Sequence, residues 1–282
     1  MPPAMWCSAS GSSPMYSGIS LTVFLAFAAM VYLCGWSRLR HDVRNTIPAW
    51  RVCSFLFGVL AAWVAVASPI ASFDGKMLTG HMIQHLLLMT FAPPLIWLGA
   101  PVKPFLCGLP GANLLFASPR ARQFGQVLGH PALCWLSAAA VLIAWHAPAL
   151  FRLGMESEAW HLVEHLSFFG TGLLFWWPVV QPWPSVPRWP RWSMLLYLFL
   201  ATLPCDVLSG LLVFSDRVAY PMYLCTPRQS GLSVLEDQQC AGALMWTCVT
   251  VIFLVAGTIL STQLLSPEGS QTHPQPVEVV SL

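Results

Sequence analysis

Two pairs of histidines stand four residues apart in this chain. The first pair is His81 and His85 in the segment HMIQH, and the second is His161 and His165 in HLVEH. In an α-helix, residues four apart share one face, with Cβ atoms about 6 Å apart, and imidazole is a ligand for zinc, copper, iron and nickel. Eight histidines in 282 residues would give about 0.2 such pairs by chance. We therefore predict a metal site from both pairs, with His146 of the Trp-His dipeptide as a fifth ligand.

Other polar and sulfur-bearing side chains accompany these histidines. Glu164 adjoins His165, so it can ligate a metal or hold the second nitrogen of a ligating imidazole. Asp237 and Gln238 open the last apolar stretch, and Asp206 lies within the stretch before it. Thioether ligands shift the preference towards Cu(I), so nearby methionines favour copper in that state. The predicted accessory residues are Met82, Glu164, Asp206, Asp237, Gln238 and Met245.

The composition determines what kind of element holds these residues. Of the 282 residues, 56% are hydrophobic and 9% are charged, whereas soluble domains carry roughly 25% charged residues. Such a chain cannot cover a water-exposed surface, so we predict an integral membrane protein with the lipid bilayer as a partner. A net charge of +2 without any block of Lys and Arg excludes nucleic acid as a partner.

Seven stretches are long and apolar enough to cross a bilayer as helices, which takes about 20 residues. They are 17–36, 49–68, 79–100, 129–148, 161–181, 192–213 and 238–262. None alternates between apolar and polar residues as a membrane β-strand does. We therefore predict an all-α integral membrane protein, a bundle of seven transmembrane helices in one membrane domain, 17–262. The polar flanks, 1–16 and 263–282, are predicted to be a disordered extracytoplasmic head and a disordered cytoplasmic tail.

The Lys and Arg residues orient this bundle. Nine fall on one side: Arg38, Arg40, Arg44, Arg51, Lys103, Arg120, Arg122, Arg188 and Arg191. Four fall on the other: Lys76, Arg152, Arg217 and Arg228. Because basic residues concentrate in cytoplasmic loops, we predict the N-terminus outside and the C-terminus in the cytoplasm. All five histidines then lie in the outer leaflet on three consecutive spans, where neighbouring helices can bring them together.

The nine cysteines form no recognisable motif. No CxxC pair occurs, and most cysteines fall inside predicted spans, where Cys is a common small apolar residue. Cys225 and Cys240 would both lie on the oxidising side and can pair there, although their spacing does not require a disulfide.

Short segments of the chain match one known family in order, from about residue 48 to about residue 260. They are His81-Met82, His85-Leu86-Leu87-Leu88, Pro93-Pro94-Leu95, Gly99-Ala100-Pro101, Trp145-His146, Pro148, His161, Glu164-His165, Phe175-Trp176-Trp177-Pro178, Tyr220-Pro221, Asp237-Gln238-Gln239, Ala241-Gly242 and Met245-Trp246. On these segments the chain resembles the CtaG family of bacterial cytochrome c oxidase assembly factors, which are multi-span membrane proteins. The resemblance implies a protein of the bacterial plasma (inner) membrane that handles copper on the outer side and is not an enzyme. The implied partners are nascent haem–copper oxidase subunits and an extracytoplasmic copper carrier.

Three other hypotheses fit the same residues. HLVEH is an H-x-x-E-H segment, which also occurs as a zinc metalloprotease signature with the glutamate as general base, although five histidines exceed what one hydrolytic zinc requires. Two histidines on facing helices can ligate haem, but all the candidates lie at one membrane face, so haem is not expected. The third hypothesis is a scaffold that docks oxidase subunits without binding metal.

Overall fold

The computed structural model describes residues 15–40, 47–68, 75–109, 111, 119–182, 189–226 and 231–265. Every regular element in these ranges is helical, as predicted. The α-helices are α1 (Met15–Leu39), α2 (Ala49–Ala67), α3 (Leu78–Leu86), α4 (Ala92–Leu98), α5 (Val102–Gly108), α6 (Pro119–Leu128), α7 (Pro131–His146), α8 (Pro148–Glu156), α9 (Glu158–Val180), α10 (Arg191–Val213) and α11 (Val234–Leu265). A π-helical turn, Leu87–Phe91, joins α3 to α4, and a 3-10 turn, Pro221–Cys225, follows α10.

Five helical segments among these residues are long and apolar enough to cross a membrane. They are Gly18–Leu39, Ala49–Ala67, Leu78–Leu98, Arg191–Val213 and Val234–Leu265. A sixth candidate is the pair of α7 and α8, which are bent by 76° relative to each other. The chain is therefore an all-helical, multi-pass membrane protein with five to six candidate spans.

The remaining predicted span, 161–181, corresponds to helix α9, which is not among those candidates. Its first turns carry Glu158, His161, Glu164 and His165, and these residues lower its mean hydropathy. By length and hydropathy alone, the described residues therefore contain at most six candidate spans, one fewer than the seven predicted. The residues responsible include three of the candidate metal-site residues.

The helix ends differ from the predicted span ends by a few residues. Helix α1 begins at Met15, inside the predicted head, and α11 ends at Leu265, inside the predicted tail. The last helix passes through polar residues and ends at Leu265. The other parts of the two predicted disordered segments, 1–14 and 266–282, lie outside the described residues.

Apolar side chains pack the helices around the third span. One buried cluster joins α3 to α10 and α11, a second joins α7, α9 and α10, and a third joins α1, α2 and α4. In the third cluster Tyr32 stacks on Phe55 at 3.9 Å between ring centroids, and its hydroxyl donates to the carbonyl oxygen of Gly99. Large apolar residues such as Phe24 and Leu254 are exposed on the outside of the bundle, as expected for contact with lipid.

The third span is interrupted near its middle. Pro93 and Pro94 have no N–H to donate, and their rings crowd the carbonyls one turn back, so the backbone widens into the π-helical turn before α4 begins. The carbonyl of Met89 accepts a hydrogen bond from the indole Nε1 of Trp176 instead, at 3.1 Å. Helix α9 can approach closely here because Gly172 has no side chain: a Cβ atom at this position would lie only 2.9 Å from the Cα of Met89. This contact fixes α9 against the third span.

Cys225 and Cys240, whose pairing the sequence left open, are not bonded to each other. Cys225 is disulfide-bonded, but Cys240 is a free thiol on the exposed side of α11. Cys240 belongs to a continuous helix whose buried face is set by its apolar neighbours. Its orientation is thus fixed by helix packing, and not by a requirement for a disulfide.

Candidate metal centre

Three buried side chains from two helices bring their ligand atoms together. Nε2 of His81 and Nε2 of His85, both on α3, lie 3.3 Å and 3.2 Å from Oε1 of Glu164 on α9. One ligand atom from each residue lies within 4.8 Å of the other two. Two imidazoles and one carboxylate form a ligand set that suits zinc or copper. We call His81, His85 and Glu164 the ligand cluster.

The ligand cluster contains polar atoms that lack aligned hydrogen bonds. Within the described parts of the chain, no ring nitrogen of His81 or His85 and neither carboxylate oxygen of Glu164 has one. Buried polar groups are nearly always hydrogen-bonded in proteins, and burying them unsatisfied is unfavourable. A cation coordinated by these three residues would satisfy one nitrogen of each ring and the carboxylate.

Asp237 of α11 holds the N-terminus of α3, which carries both histidines of the cluster. Its carboxylate accepts hydrogen bonds from the backbone N–H groups of Leu78, at 2.7 Å, and Thr79, at 3.2 Å. The Thr79 hydroxyl donates to the same carboxylate at 2.6 Å. A helix leaves the N–H groups of its first turn without backbone partners, and a negative charge there interacts favourably with the helix dipole. The predicted accessory residue Asp237 therefore orients the helix, with its oxygens engaged by α3.

Helix α8 lies directly against the carboxylate of Glu164. A Cβ atom added at Gly154 would lie 2.7 Å from Oε2 of Glu164, so a larger residue at this position would displace the carboxylate. On the neighbouring turn of α9, Ser167 accepts a hydrogen bond from the indole Nε1 of Trp145 at 2.8 Å. These contacts fix α7, α8 and α9 relative to one another and set the position of Glu164.

The second histidine pair flanks the ligand cluster. The ring centroid of His161 lies 5.9 Å from that of His81, and the centroid of His165 lies 6.3 Å from that of His85. Nε2 of His165 is 3.3 Å from the side-chain oxygen of Gln84, which is fully buried on α3. The structure therefore brings all four of these histidines into one region, with Glu164 between the two pairs.

His146, the last residue of α7, completes the set of five predicted histidines. Its Nδ1 lies 2.7 Å from the carbonyl oxygen of Leu142, and because a carbonyl only accepts, Nδ1 carries the proton. Nε2 then keeps its lone pair, and it has no hydrogen-bond partner among the residues described. The His146 and His85 ring centroids are 6.2 Å apart. A fixed second nitrogen is typical of metal-ligating histidines, so His146 is oriented as a ligand would be.

Aromatic side chains cover the ligand cluster at the end of the bundle. The ring centroid of Phe151, on α8, lies 4.9 Å from that of His81 and 4.1 Å from that of Tyr220. The Tyr220 hydroxyl donates to the carbonyl oxygen of His146 at 2.9 Å, and burial raises its pKa above the usual range, so it keeps its proton. We call Phe151 and Tyr220 the aromatic cover. It excludes water from the cluster, since His81 is fully buried.

Two other predicted accessory residues lie away from the ligand cluster. Gln238 holds the segment after α10: its side-chain oxygen accepts from the N–H of Ala219 at 2.7 Å, and its nitrogen donates to the carbonyl of Arg217 at 3.2 Å. Gln238 thus supports the segment that leads into Tyr220. Asp206 is only partly buried on α10 and is not one of the three residues whose ligand atoms converge.

The two predicted methionines lie beside the cluster. Met82 and Met245 are buried in the apolar core between α3 and α11. Both line a cavity that His85 and His146 also line. The structure therefore places these thioethers next to imidazoles of the site, but separate from the carboxylate of Glu164.

Residues that support the site were missed in the sequence. Gln84 stands three residues after His81, so helical spacing could have placed it on the same face. Phe151 and Gly154 carry no such signal, because their roles depend on how α8 folds back onto α9. Tyr220 stood in a matched segment, but its hydrogen bond to His146 spans 74 residues and has no local signature.

Comparisons with known proteins agree with this architecture. Residues 30–266 match the family described as cytochrome c oxidase caa3 assembly factor. Curated relatives include an uncharacterized protein of Mycobacterium bovis, 26% identical over 83% of this chain, and one of Mycobacterium leprae, 25% identical over 82%. The chain spans only 37% and 36% of the length of those relatives, and no solved structure matches it. Because the family match covers most of the chain, residues 30–266, the chain belongs to the cytochrome c oxidase caa3 assembly factor family.

Proposed function

We propose that this protein binds copper at the ligand cluster and delivers it to nascent haem–copper oxidase subunits. The observation that carries the proposal is the convergence of three buried ligand atoms within 4.8 Å, in a chain of an oxidase assembly family. Two imidazoles and one carboxylate leave a coordination position open at a four-coordinate ion. An ion that is received from an extracytoplasmic carrier and passed on needs such a position for ligand exchange.

The neighbouring histidines supply further ligands during transfer. His146 uses Nδ1 for the hydrogen bond to the backbone, so the lone pair of its buried Nε2 is available to a metal ion. The rings of His161 and His165 lie 4.2 Å apart by their centroids, beside the ligand cluster. Copper can therefore exchange one imidazole for another without crossing an apolar region, where an ion without ligands is strongly unfavourable.

The proposed site lies at the outer face of a bacterial plasma membrane, in a seven-span bundle with the N-terminus outside. Helix α9 has 23 residues, which at 1.5 Å per residue is roughly 34 Å, enough for a hydrocarbon core of about 30 Å. We therefore count it as the seventh span despite its polar first turns. The excess of Lys and Arg in the loops opposite the ligand cluster supports this orientation.

A hydrolytic zinc site is the second candidate, because two histidines and one glutamate are also the zinc ligands of several peptidases. In the H-E-x-x-H motif of those enzymes, the residue after the first histidine is the general base. In HMIQH that residue is Met82, which has no basic atom. Glu164, the base expected from the H-x-x-E-H segment, already lies within 3.3 Å of both cluster histidines. These contacts support metal binding better than hydrolysis.

Metal analysis of the purified protein tests the proposal. The His81→Ala/His85→Ala variant should lose most of its bound copper while its circular dichroism remains helical, and cells that carry it should lose oxidase activity. His130→Asn is the matched control, since His130 caps α7 by accepting from the N–H of Ala132 and asparagine preserves a cap. The control should keep both copper and oxidase activity.

Each alternative gives a different result in the same experiment. Unchanged copper content in the double variant would contradict the site. A wild-type protein without copper, whose double variant still supports oxidase activity, would identify a metal-free scaffold. Preferential zinc binding, with peptide cleavage that is lost in Glu164→Gln, would favour the hydrolase.

A further inference from the structure

A cavity of about 60 Å³ lies beside the ligand cluster, lined by α3, the π-helical turn, α7, α9, α10 and α11. Four sulfur-bearing side chains and two imidazoles line it: Met82, Met89, Cys205, Met245, His85 and His146. A water molecule occupies about 30 Å³ in the liquid, so the cavity has room for a metal ion. We call it the sulfur cavity.

The sulfur-bearing residues of this cavity come from separate elements. Met82 lies on α3, Met89 on the π-helical turn, Cys205 on α10 and Met245 on α11. Met82, Cys205 and Met245 are 1%, 4% and 4% exposed, so they face the interior of the bundle and not the lipid. Only the packing of these helices brings the four residues to one cavity.

Imidazoles give the sulfur cavity a polar wall. His85 is 6% exposed, and neither of its ring nitrogens has an aligned hydrogen bond in the described ranges. His146 is equally buried, and its Nε2 is likewise unsatisfied among the residues described. Buried nitrogens without hydrogen bonds are unfavourable in an apolar setting. A cation in the cavity would satisfy one nitrogen of His85 and Nε2 of His146.

We propose that the sulfur cavity is a second copper site, which holds Cu(I) with thioether and imidazole ligands. Thioether and thiol ligands select Cu(I), whereas imidazole with carboxylate also suits Cu(II) and zinc. The proposal rests on the proposed function and deepens it, because it assigns an oxidation state and a second position to the copper ion. His85 belongs to both sites, since it lies 3.2 Å from Glu164 and also lines the cavity.

Transfer between the two sites is an exchange of ligands around one ion. Copper leaves Glu164 and His81, stays bound to His85, and gains sulfur ligands in the cavity. The ion enters and leaves as Cu(I), so no reductant or oxidant is required. This path moves copper from the ligand cluster into the interior of the bundle.

Binding of Ag(I) to the purified full-length chain tests the second site, because Ag(I) shares the charge and the sulfur preference of Cu(I). The Met82→Leu/Met89→Leu/Met245→Leu variant keeps nearly the same apolar volume but removes three thioethers. We expect its affinity for Ag(I) to fall at least tenfold. Met194→Leu is the matched control, since Met194 is 2% exposed and does not line the cavity, and the affinity of this variant should not change.

X-ray absorption of the wild-type protein covers the case in which the triple variant does not fold. With one equivalent of Cu(I) bound, the spectrum should contain sulfur neighbours as well as nitrogen neighbours. Nitrogen and oxygen neighbours alone would overturn the proposal. Unchanged Ag(I) affinity in a folded triple variant would also overturn it.

The two proposals fail in different experiments. The His81→Ala/Glu164→Gln variant removes ligands of the cluster only, so it should weaken Cu(II) binding and preserve the affinity of the sulfur cavity for Ag(I). The triple methionine variant should do the reverse. Unchanged Cu(II) binding in the first variant would contradict the ligand cluster, and unchanged Ag(I) binding in the second would contradict the sulfur cavity.

Discussion

Two buried carboxylates lie against helix α3, and their surroundings are opposite. Asp237 accepts hydrogen bonds from two backbone N–H groups and one hydroxyl at the start of the helix. Glu164 lies beside His81 and His85 further along the same helix. Neither of its oxygens has an aligned hydrogen bond in the described part of the chain.

This difference separates a supporting group from a ligand. A carboxylate that accepts several hydrogen bonds stabilises the folded protein and has little capacity left for an ion. A buried carboxylate with unmet hydrogen-bonding capacity destabilises the metal-free protein and favours cation binding. The comparison therefore predicts that substitutions at Asp237 affect stability, whereas substitutions at Glu164 affect metal binding.

The largest expected effect is a loss of stability in Asp237→Ala. One buried and one partly buried N–H lose their acceptor, and the Thr79 hydroxyl keeps only the backbone carbonyl of residue 237, so the free energy of unfolding should fall by about 3 kcal/mol. Thermal unfolding in detergent measures this as a lower Tm. Glu236→Ala is the control, because Glu236 accepts from the N–H of Ser233 at the exposed start of α11 and such a cap contributes about 1 kcal/mol. Equal, small losses of stability in both variants would contradict the supporting role of Asp237.

The next effect is on metal affinity in Glu164→Gln. Replacing the anionic oxygen by a neutral amide should weaken copper binding about 100-fold, or about 2.7 kcal/mol, because the ligand cluster loses its only negative charge. Competition with a chelator measures the affinity. Glu158→Gln, an exposed change in the first turn of the same helix, should leave it unchanged. Wild-type affinity in Glu164→Gln would remove Glu164 from the site.

A smaller loss of affinity is expected in Gly154→Ala, which does not alter any ligand. The new Cβ atom would lie 2.7 Å from Oε2 of Glu164, so the carboxylate must shift from its position beside the histidines. We expect about tenfold weaker copper binding, or about 1.4 kcal/mol, by the same competition assay. Gly125→Ala is the control, since a Cβ there meets no atom within 4 Å. Unchanged affinity in Gly154→Ala would show that α8 does not position Glu164.

The smallest effect concerns the aromatic cover. Tyr220→Phe removes the hydrogen bond to the carbonyl of His146, which should reduce stability by about 1 kcal/mol and speed copper release to a chelator without changing the ligand set. Tyr197→Phe removes an equivalent hydrogen bond to the carbonyl of Phe175, so it should reduce stability equally and leave the release rate unchanged. Equal release rates in the two variants would contradict a covering role for Tyr220.

Helical spacing identified much of the candidate site because it is a local property. His81 and His85 share a face by their separation alone, and the structure places their rings 4.3 Å apart by centroid. The same spacing put His161 and His165 together, and their rings are also close. Which residue of α9 meets α3 depends on the rotation of α9 about its axis. That rotation is set by close contacts such as Gly172 against Met89, which local periodicity does not encode.

The roles of other residues depend on contacts between distant parts of the chain. The predicted spans place Asp237 at the same membrane depth as the histidines. Its role as a cap for α3, however, requires a contact between residues 159 positions apart in the chain. The predicted span 79–100 matches the observed third span closely. Its π-helical turn follows from Pro93 and Pro94, and the carbonyl left without a helical partner there is satisfied by the distant indole of Trp176. The sulfur-bearing residues of the sulfur cavity likewise come from four elements. Composition and hydropathy predicted the membrane class, but these long-range contacts could not be predicted from them.

Thermal unfolding of wild type and Glu164→Gln, each with and without copper, tests the central claim most directly. Without metal, Glu164→Gln should be at least as stable as wild type, because a buried charge short of hydrogen bonds has been removed. With copper, wild type should gain more stability than the variant, since a ligand that binds the native state stabilises it according to its affinity. A variant that is less stable than wild type without metal, and that gains as much from copper, would contradict the assignment of Glu164 as a metal ligand.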